Sequence, residues 1–265
     1  MQELERILVQ GQQLLETGQF SEAAECFRKV LAADPDAAEV HAALAEALAE
    51  QGKGAQARDH LEKAVALDSR ETDYRYALGD LMFELGQAKE AMDVYRHILD
   101  EFPDESDAWV SLGLVHFHRE EIGEARNCYE KALELEPQSI FALNSLGDVH
   151  YAEGRFDEAL EIYRRVIEID PEDAQAHFNL GEICYDTEDL EAAERECRRA
   201  IELDPEFSAA YLTLGNICLD QEKSRQALDW FQKFLLHERS TGAKDIREEV
   251  AAVVAGLKEE LGRNV

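Results

Sequence analysis

Positive charge is scarce in this 265-residue sequence, which has 27 Lys and Arg against 58 Asp and Glu and a formal net charge of −31. Nucleic acids and anionic membrane surfaces attract basic patches, so this balance argues against both as partners. It favours basic partners, or a cytoplasm of high salt concentration in which acidic surfaces are common.

Long apolar runs and paired cysteines are also missing. The five cysteines are odd in number and include no CxxC pair, which indicates reduced thiols in a reducing compartment. No run approaches the roughly 20 apolar residues of a membrane span. The first ten residues, MQELERILVQ, carry charges where a signal peptide needs an apolar segment. We therefore expect no membrane insertion and a cytoplasmic location.

Proline is rare and strictly spaced. The five prolines lie at Pro35, Pro103, Pro137, Pro171 and Pro205, at separations of 68, 34, 34 and 34 residues. With this proline as position 32 of a 34-residue unit, seven copies follow one another without insertion. They are residues 4–37, 38–71, 72–105, 106–139, 140–173, 174–207 and 208–241.

Other columns of this unit are equally regular. Position 20 is alanine in every copy, from Ala23 to Ala227, and position 8 is glycine in six copies and Ala45 in the other. Position 24 is aromatic in five copies, as in Tyr163. A period of this length, kept in phase through seven copies, is typical of a repeat solenoid.

The pattern over residues 4–241 resembles the tetratricopeptide repeat. The resemblance implies an all-α fold: each copy forms two antiparallel helices, A and B, and the copies stack into a right-handed α-α superhelix with the A helices lining a concave groove. Two columns depart from the family pattern. Position 4 is often tryptophan in the family but is tryptophan here only at Trp109. Position 11 is usually tyrosine in the family and never tyrosine here. We interpret residues 1–265 as a single domain.

The residues themselves support paired helices. Apolar residues recur at helical spacing, as in Leu143, Leu146 and Val149, and no stretch alternates as a strand would. We expect position 32 proline in the first turn of the next A helix, and Thr72 as the N-cap where this proline is missing. Glycines between the two helices suit a left-handed helix end: Gly18, Gly52, Gly86 and Gly154.

The last twenty or so residues form a different pattern. Residues 243–262 place five apolar residues on one helical face, namely Ile246, Val250, Val253, Leu257 and Leu261. We predict a C-terminal capping helix that covers the apolar end of the stack. The alternative is a dimerisation helix.

One surface of the A helices, which we call the A-helix stripe, has an unusual composition. It comprises positions 2, 5, 9, 12 and 13 of each copy, which the resemblance places in the groove. Its 35 residues include 13 acidic residues and no Lys or Arg, whereas the chain average would give about 8 acidic and 3 to 4 basic residues. Copy 2 is rich in alanine there, so we expect little side-chain reach from it. The alternative interpretation is the solvated face of an acidic protein that lacks lysine by chance.

We predict that the stripe binds a partner through aromatic rings and carboxylates, which suit apolar and basic groups respectively. The predicted groove residues are Tyr76, Asp80, Phe83, Leu114, Phe117, Phe141, Asn144, Asp148, Tyr151, Phe178, Asn179, Glu182, Tyr185 and Asn216. The partner would be a protein or peptide with basic and aromatic or apolar residues, bound in an extended or helical conformation.

Two groove chemistries of the resembled family fit poorly. A two-carboxylate clamp for chaperone C-termini needs Lys and Arg at positions 2, 5 and 6, and the stripe has no basic residue, so this reading is rejected. An asparagine ladder at position 6 is matched only by Asn179, since Asn144 and Asn216 lie in other columns.

Signals of catalysis or metal binding are weak. The sequence has no GxxxxGK[ST], GxGxxG, HExxH or GxSxG motif, and the repeats leave no long segment for a catalytic domain. His116, His150, Cys184 and Cys218 share position 11, but neighbouring helix axes lie about 8–10 Å apart, too far for convergent ligands. We expect no enzyme activity, catalytic residue, metal or cofactor.

The sequence thus predicts a non-catalytic interaction scaffold. Two alternatives remain: a structural protein that self-associates through its terminal repeats or C-terminal helix, and a recruiting subunit of a separately encoded enzyme.

Overall fold

The computed structural model describes residues 2–263, which form fifteen α-helices and one short 3-10 helix, with no strand among them. The chain divides into two compact units, one ending at Pro137 and the other beginning at Gln138. The first unit contains α1 (Gln2–Glu16), α2 (Phe20–Ala33), α3 (Ala38–Ala49), α4 (Gly54–Leu67), α5 (Thr72–Glu84), α6 (Ala88–Glu101), α7 (Ser106–His118) and α8 (Ile122–Leu135). The second contains α9 (Ile140–Ala152), α10 (Phe156–Ile169), α11 (Ala174–Asp186), α12 (Leu190–Leu203), α13 (Ser208–Asp220), α14 (Ser224–His237), the 3-10 helix (Thr241–Ala243) and α15 (Lys244–Arg263).

The predicted all-α class and the helix pairs are confirmed. Odd-numbered helices from α1 to α13 are A helices, even-numbered helices from α2 to α14 are B helices, and consecutive helices pack against each other within each unit. The interpretation as a single domain stays a prediction.

In five copies, glycine at position 8 lets the A helix approach the position 24 ring of its B helix. A Cβ at Gly147 would lie 2.5 Å from a ring carbon of Tyr163, which is fully buried. Copy 2 follows the same rule. Its position 8 is Ala45, and its position 24 is Leu61, which has no ring and leaves room for the alanine Cβ. The columns of small residues therefore serve packing.

The turn from helix A to helix B uses a left-handed residue, as predicted for the glycines. Their φ angles are 74° at Gly18, 71° at Gly52, 73° at Gly86 and 72° at Gly154. Copies 4, 6 and 7 place glutamate at the same position: Glu120, Glu188 and Glu222 have φ angles of 60°, 64° and 58°. The hydrogen bonds are the same in both cases, since Gln87 N donates to Met82 O and Asp189 N to Cys184 O, each at 2.8 Å.

Two predictions about the start of the A helices are wrong. Pro35 lies in the turn three residues before α3, not in the first turn of that helix. Thr72 is the first residue of α5, and Glu71 occupies the N-cap position without a side-chain hydrogen bond. Proline therefore shapes the turn between copies and does not begin the helix.

Position 4 has a role that the sequence columns did not reveal. In four copies its side chain donates a hydrogen bond to the backbone carbonyl of position 32, six residues earlier, and four different residue types make this same bond. The bonds join His41 Nε2 to Pro35 O (3.0 Å), Arg75 Nη2 to Ser69 O (2.5 Å), Trp109 Nε1 to Pro103 O (3.1 Å) and Tyr211 Oη to Pro205 O (3.0 Å).

The C-terminal helix α15 packs against α14 and buries Val250, Val254 and Leu257. Val253, predicted on the buried face, is 38% exposed and lies at its edge with Ile246. Val254 takes its place because the contact with α14 is centred on the neighbouring side of the helix. Self-association through this helix stays a prediction.

Candidate functional site

The fourteen predicted groove residues lie on five A helices. Helices α5 and α7 of the first unit carry Tyr76, Asp80, Phe83, Leu114 and Phe117. Helices α9, α11 and α13 of the second unit carry Phe141, Asn144, Asp148, Tyr151, Phe178, Asn179, Glu182, Tyr185 and Asn216.

Six of the seven aromatic residues predicted in the groove are half-buried. Phe141 is 58% exposed. The Phe83 ring meets His118 edge-on with centroids 5.0 Å apart, and the Phe178 ring lies 5.0 Å from that of Phe207. The half-buried members are Tyr76, Phe83, Phe117, Tyr151, Phe178 and Tyr185. These rings take part in packing and offer a ligand only part of their surface.

In the first unit, the alanine-rich part of the stripe opens a cavity. It has a volume of about 450 Å³ and is lined by residues of α3, α4 and α5. Ala42 and Ala49 leave the space, and Leu61 and Leu81 add apolar surface. Copy 2, from which we expected little reach, thereby contributes an open volume.

Six carboxylates and no Lys or Arg line this stripe cavity. All six residues are exposed, and none forms an ion pair within residues 2–263. Asp80 Oδ1 accepts a hydrogen bond from Tyr95 Oη at 2.5 Å. The carboxylates belong to Glu39, Glu46, Glu50, Asp73, Asp80 and Glu84.

In the second unit, Asp148 is held by neutral donors. Its Oδ1 accepts hydrogen bonds from Tyr163 Oη at 2.6 Å and from Asn179 Nδ2 at 3.2 Å. Both bonds end on Oδ1, and no donor in residues 2–263 is recorded for Oδ2. Part of the side chain reaches solvent, but desolvation by the surrounding helices raises the pKa of Asp148, and the Tyr163 hydrogen bond opposes this rise.

Three more carboxylates of the second unit are held by hydroxyl groups of a neighbouring A helix. Desolvation raises the pKa of Glu182, with a smaller contribution from the negative charge of Asp186. The hydrogen bonds run from Thr213 Oγ1 to Glu182 Oε1 (2.5 Å), from Tyr151 Oη to Asp186 Oδ2 (2.5 Å) and from Tyr185 Oη to Asp220 Oδ2 (2.7 Å). The carboxylates are thus oriented without being neutralised.

The fourteen predicted groove residues include Glu182, Tyr151 and Tyr185 but not the residues bonded to them, Thr213, Asp186 and Asp220. Thr213 lies at position 6, outside the stripe. A signal for the tyrosine pairs exists, because Tyr151 and Tyr185 each precede an aspartate by 35 residues, from position 12 of one copy to position 13 of the next.

The three asparagines do not form a ladder. Asn144 Nδ2 donates to Asp173 Oδ2 at 3.2 Å, while its buried Oδ1 has no donor among the residues that the structure describes. Asn179 accepts from Gln175 Nε2 at 2.7 Å and donates to Asp148. Asn216 is half-buried on α13. Asn179 therefore belongs to the carboxylate network.

The position 11 column is buried. His116, His150, Cys184 and Cys218 all lie in the helix packing, and burial raises the pKa of both thiols. Within the described residues, no three His, Cys, Asp or Glu side chains are placed to hold a metal ion. No helix in residues 2–263 has both the length and the apolar character to cross a membrane.

Sequence models of the tetratricopeptide repeat match nearly the whole chain. One matches residues 8–72, 144–206 and 185–243, a second matches residues 104–172 and a third matches residues 48–113. No curated protein sequence matches it.

Solved structures with the same fold include a tetratricopeptide repeat protein from Parabacteroides merdae. That structure is 19% identical, covers 96% of this chain and all of its own, and has a TM-score of 0.76. MamA is 28% identical, with coverage of 62% of this chain and 96% of its own and a TM-score of 0.54. PilF of Pseudomonas aeruginosa is 24% identical, with coverage of 76% and 92% and a TM-score of 0.62.

Proposed function

Because the chain belongs to the tetratricopeptide repeat family, whose members are generally non-catalytic modules that bind proteins or peptides, we propose that it is an interaction scaffold whose A-helix stripe binds a basic segment of a partner protein.

The observation that supports a basic partner is the state of the stripe carboxylates. Asp80, Asp148 and Glu182 are hydrogen-bonded to hydroxyl or amide donors and make no ion pair with any described Lys or Arg. Asp148 and Glu182 are also partly desolvated, and such a carboxylate gains most from an external cation because part of its desolvation cost has already been met. Lys or Arg of a partner supplies that cation.

The stripe cavity of the first unit supports the same chemistry. A Lys or Arg side chain has an aliphatic stem and a charged end. The stem would contact Ala42, Ala49 and Leu81, while the charge would meet the carboxylates at the edge of the cavity. The exposed Phe141 ring of the second unit adds a contact for an apolar or cationic group.

A charge reversal tests the proposal. Synthetic peptides with Lys and Arg between Phe and Tyr residues should bind the wild-type protein, with affinity that falls as salt increases. Asp148→Lys with Glu182→Lys should weaken the best peptide by a factor of about 100 or more, since each lost charge-assisted bond is worth roughly 1.5–3 kcal/mol.

Two control variants separate binding from folding. Asp148→Asn with Glu182→Gln keeps an acceptor for the Tyr163 and Thr213 hydroxyls and should also weaken binding. Glu161→Lys with Glu168→Lys makes the same charge change at exposed sites of α10 and should leave most of the affinity. Equal affinity of the stripe and α10 reversals would mean that the stripe is not the binding surface.

A further inference from the structure

Successive repeats bring four side chains together on the B-helix side of the chain: position 25 of one copy and positions 4, 23 and 26 of the next. We call each such set a cross-repeat quartet. In copies 1 and 2 the quartet is Arg28, His41, His60 and Lys63, and it lines a cavity of about 530 Å³. In copies 3 and 4 the equivalent quartet of Arg96, Trp109, Cys128 and Lys131 lines a cavity of about 730 Å³.

In two other quartets the protein itself supplies a partner for one of the basic side chains. In copies 5 and 6, position 23 is Glu196, whose carboxylate lies 2.9 Å from His177 Nδ1. In copies 6 and 7 it is Trp230, with Lys233 Nζ 4.2 Å from the ring centroid. The cavity of copies 3 and 4 includes four carboxylates, those of Asp100, Glu124, Glu130 and Glu134.

Copies 1 and 2 lack such a partner. Position 23 is His60, and the lining includes one carboxylate, Asp36. Neither Arg28 nor Lys63 makes an ion pair or a side-chain hydrogen bond within the described residues, although both line the cavity. In a chain with 58 acidic residues, this cavity is therefore lined by two cations, two histidines and only one carboxylate.

The two histidines are oriented by hydrogen bonds. His41 Nε2 lies 3.0 Å from Pro35 O and must donate, because a carbonyl only accepts. In neutral His41 the other nitrogen, Nδ1, then accepts from His60 Nδ1 at 2.8 Å. His60 Nε2 is left without a protein partner within residues 2–263. Burial lowers the pKa of His60, as do the charges of His41, Lys63 and Arg28, while Asp59 opposes them.

We propose that the cavity of copies 1 and 2 binds a phosphate monoester, with Arg28 and Lys63 neutralising the dianion and protonated His60 donating its Nε2–H to a phosphate oxygen. A phosphate group offers nearly two negative charges and three acceptor oxygens. It therefore matches two permanently charged side chains and one protonatable donor better than a carboxylate does. Leu31 and Leu67 would contact an apolar body attached to the phosphate.

Calorimetric titration with phenyl phosphate at pH 7 tests this site on the full chain. Wild type should bind, and Arg28→Gln and Lys63→Gln should each weaken binding by a factor of about 10 to 100. Both side chains are exposed, so these variants should fold. Arg96→Gln and Lys131→Gln change the equivalent cavity of copies 3 and 4 and should leave the affinity unchanged.

Two further variants probe the role of His60. His60→Glu installs the residue type that copy 6 has at this position, and its carboxylate should abolish binding by taking the place of the ligand. Wild type should take up a proton on binding, seen as a dependence of the binding heat on buffer ionisation, and His60→Gln should not.

The source of the phosphate is distinguished by comparing phenyl phosphate with a phosphotyrosine peptide. Tighter binding of the peptide would assign a modified protein as the ligand, and no gain in affinity would assign a small ester; either result supports a phosphate site. Failure of wild type to bind either probe would overturn the proposal, as would equal loss of affinity in the Arg28 and Arg96 variants.

Discussion

Replacing the three left-handed glutamates by glycine should stabilise the protein. Glu120, Glu188 and Glu222 have φ angles of 60°, 64° and 58°. Their side chains are exposed and make no hydrogen bond or ion pair within the described residues. Nothing in the surrounding structure therefore offsets the unfavourable backbone conformation.

The size of the effect follows from two opposing terms. The left-handed region costs a residue with a Cβ roughly 1–2 kcal/mol. Glycine removes that cost, but it loses more conformational freedom on folding, and this loss reduces the gain by roughly 0.5–1 kcal/mol. The net gain is about 0.5–1 kcal/mol per site, and because the sites lie in different copies the triple variant should gain about 1.5–3 kcal/mol.

Urea denaturation followed by circular dichroism measures this gain, and hydrogen exchange locates it, since solenoids can unfold in parts. Glu120→Ala is the matched control: it removes the same charge but keeps a Cβ, so it should gain little. Gly154→Ala should lose about 0.5–1 kcal/mol from the backbone alone, because a Cβ there would meet nothing within 4 Å. If glycine and alanine at position 120 gave equal stability, the gain would come from charge and the reasoning would be wrong.

Two other predictions concern the packing and the stripe. Gly147→Ala should destabilise the protein by about 1–3 kcal/mol, because the added Cβ would lie 2.5 Å from the Tyr163 ring; a double-mutant cycle with Tyr163→Leu should show partial relief, as in the Ala45–Leu61 pair, and additive effects would contradict it. At neutral pH, the Asp148→Asn variant should be at least as stable as wild type. Urea denaturation at a series of pH values measures this difference. The folded-state pKa of Asp148 is raised above 3.8, so the contribution of the aspartate is favourable below that value and is lost as pH rises through the raised pKa. A clear loss of stability in the variant at pH 7 would contradict this account.

The sequence predicted the fold well because the 34-residue period repeats its packing residues in phase. Gly147 and Tyr163 have equivalents that pack against each other in the same way in four other copies, so the copies report one local geometry. The left-handed glutamates escaped prediction because glutamate has no preference for that conformation. Only an alignment of the copies shows that Glu120 occupies the same repeat position as Gly86.

The site was less predictable, because periodicity tells which face a residue shares but not which groups it bonds. Asp148 was predicted on the stripe, but its hydrogen bonds to Tyr163 and Asn179 depend on distances between helices. The half-buried state of Phe178 has the same cause, since it depends on Phe207 of the following turn. The alanines of copy 2 indicated that side chains there are short. That they line a cavity depends on how the helices are arranged, which the sequence does not show.

Site-specific photocrosslinking to a bound basic peptide tests the central proposal most directly. A photoreactive residue placed at Phe141 or Asn216, both on the A-helix stripe of the second unit, should crosslink to the peptide, and excess unlabelled peptide should suppress the product. The same residue at Glu161 of α10 should give none. Crosslinks at Glu161 and none at Phe141 or Asn216 would show that the partner binds away from the stripe.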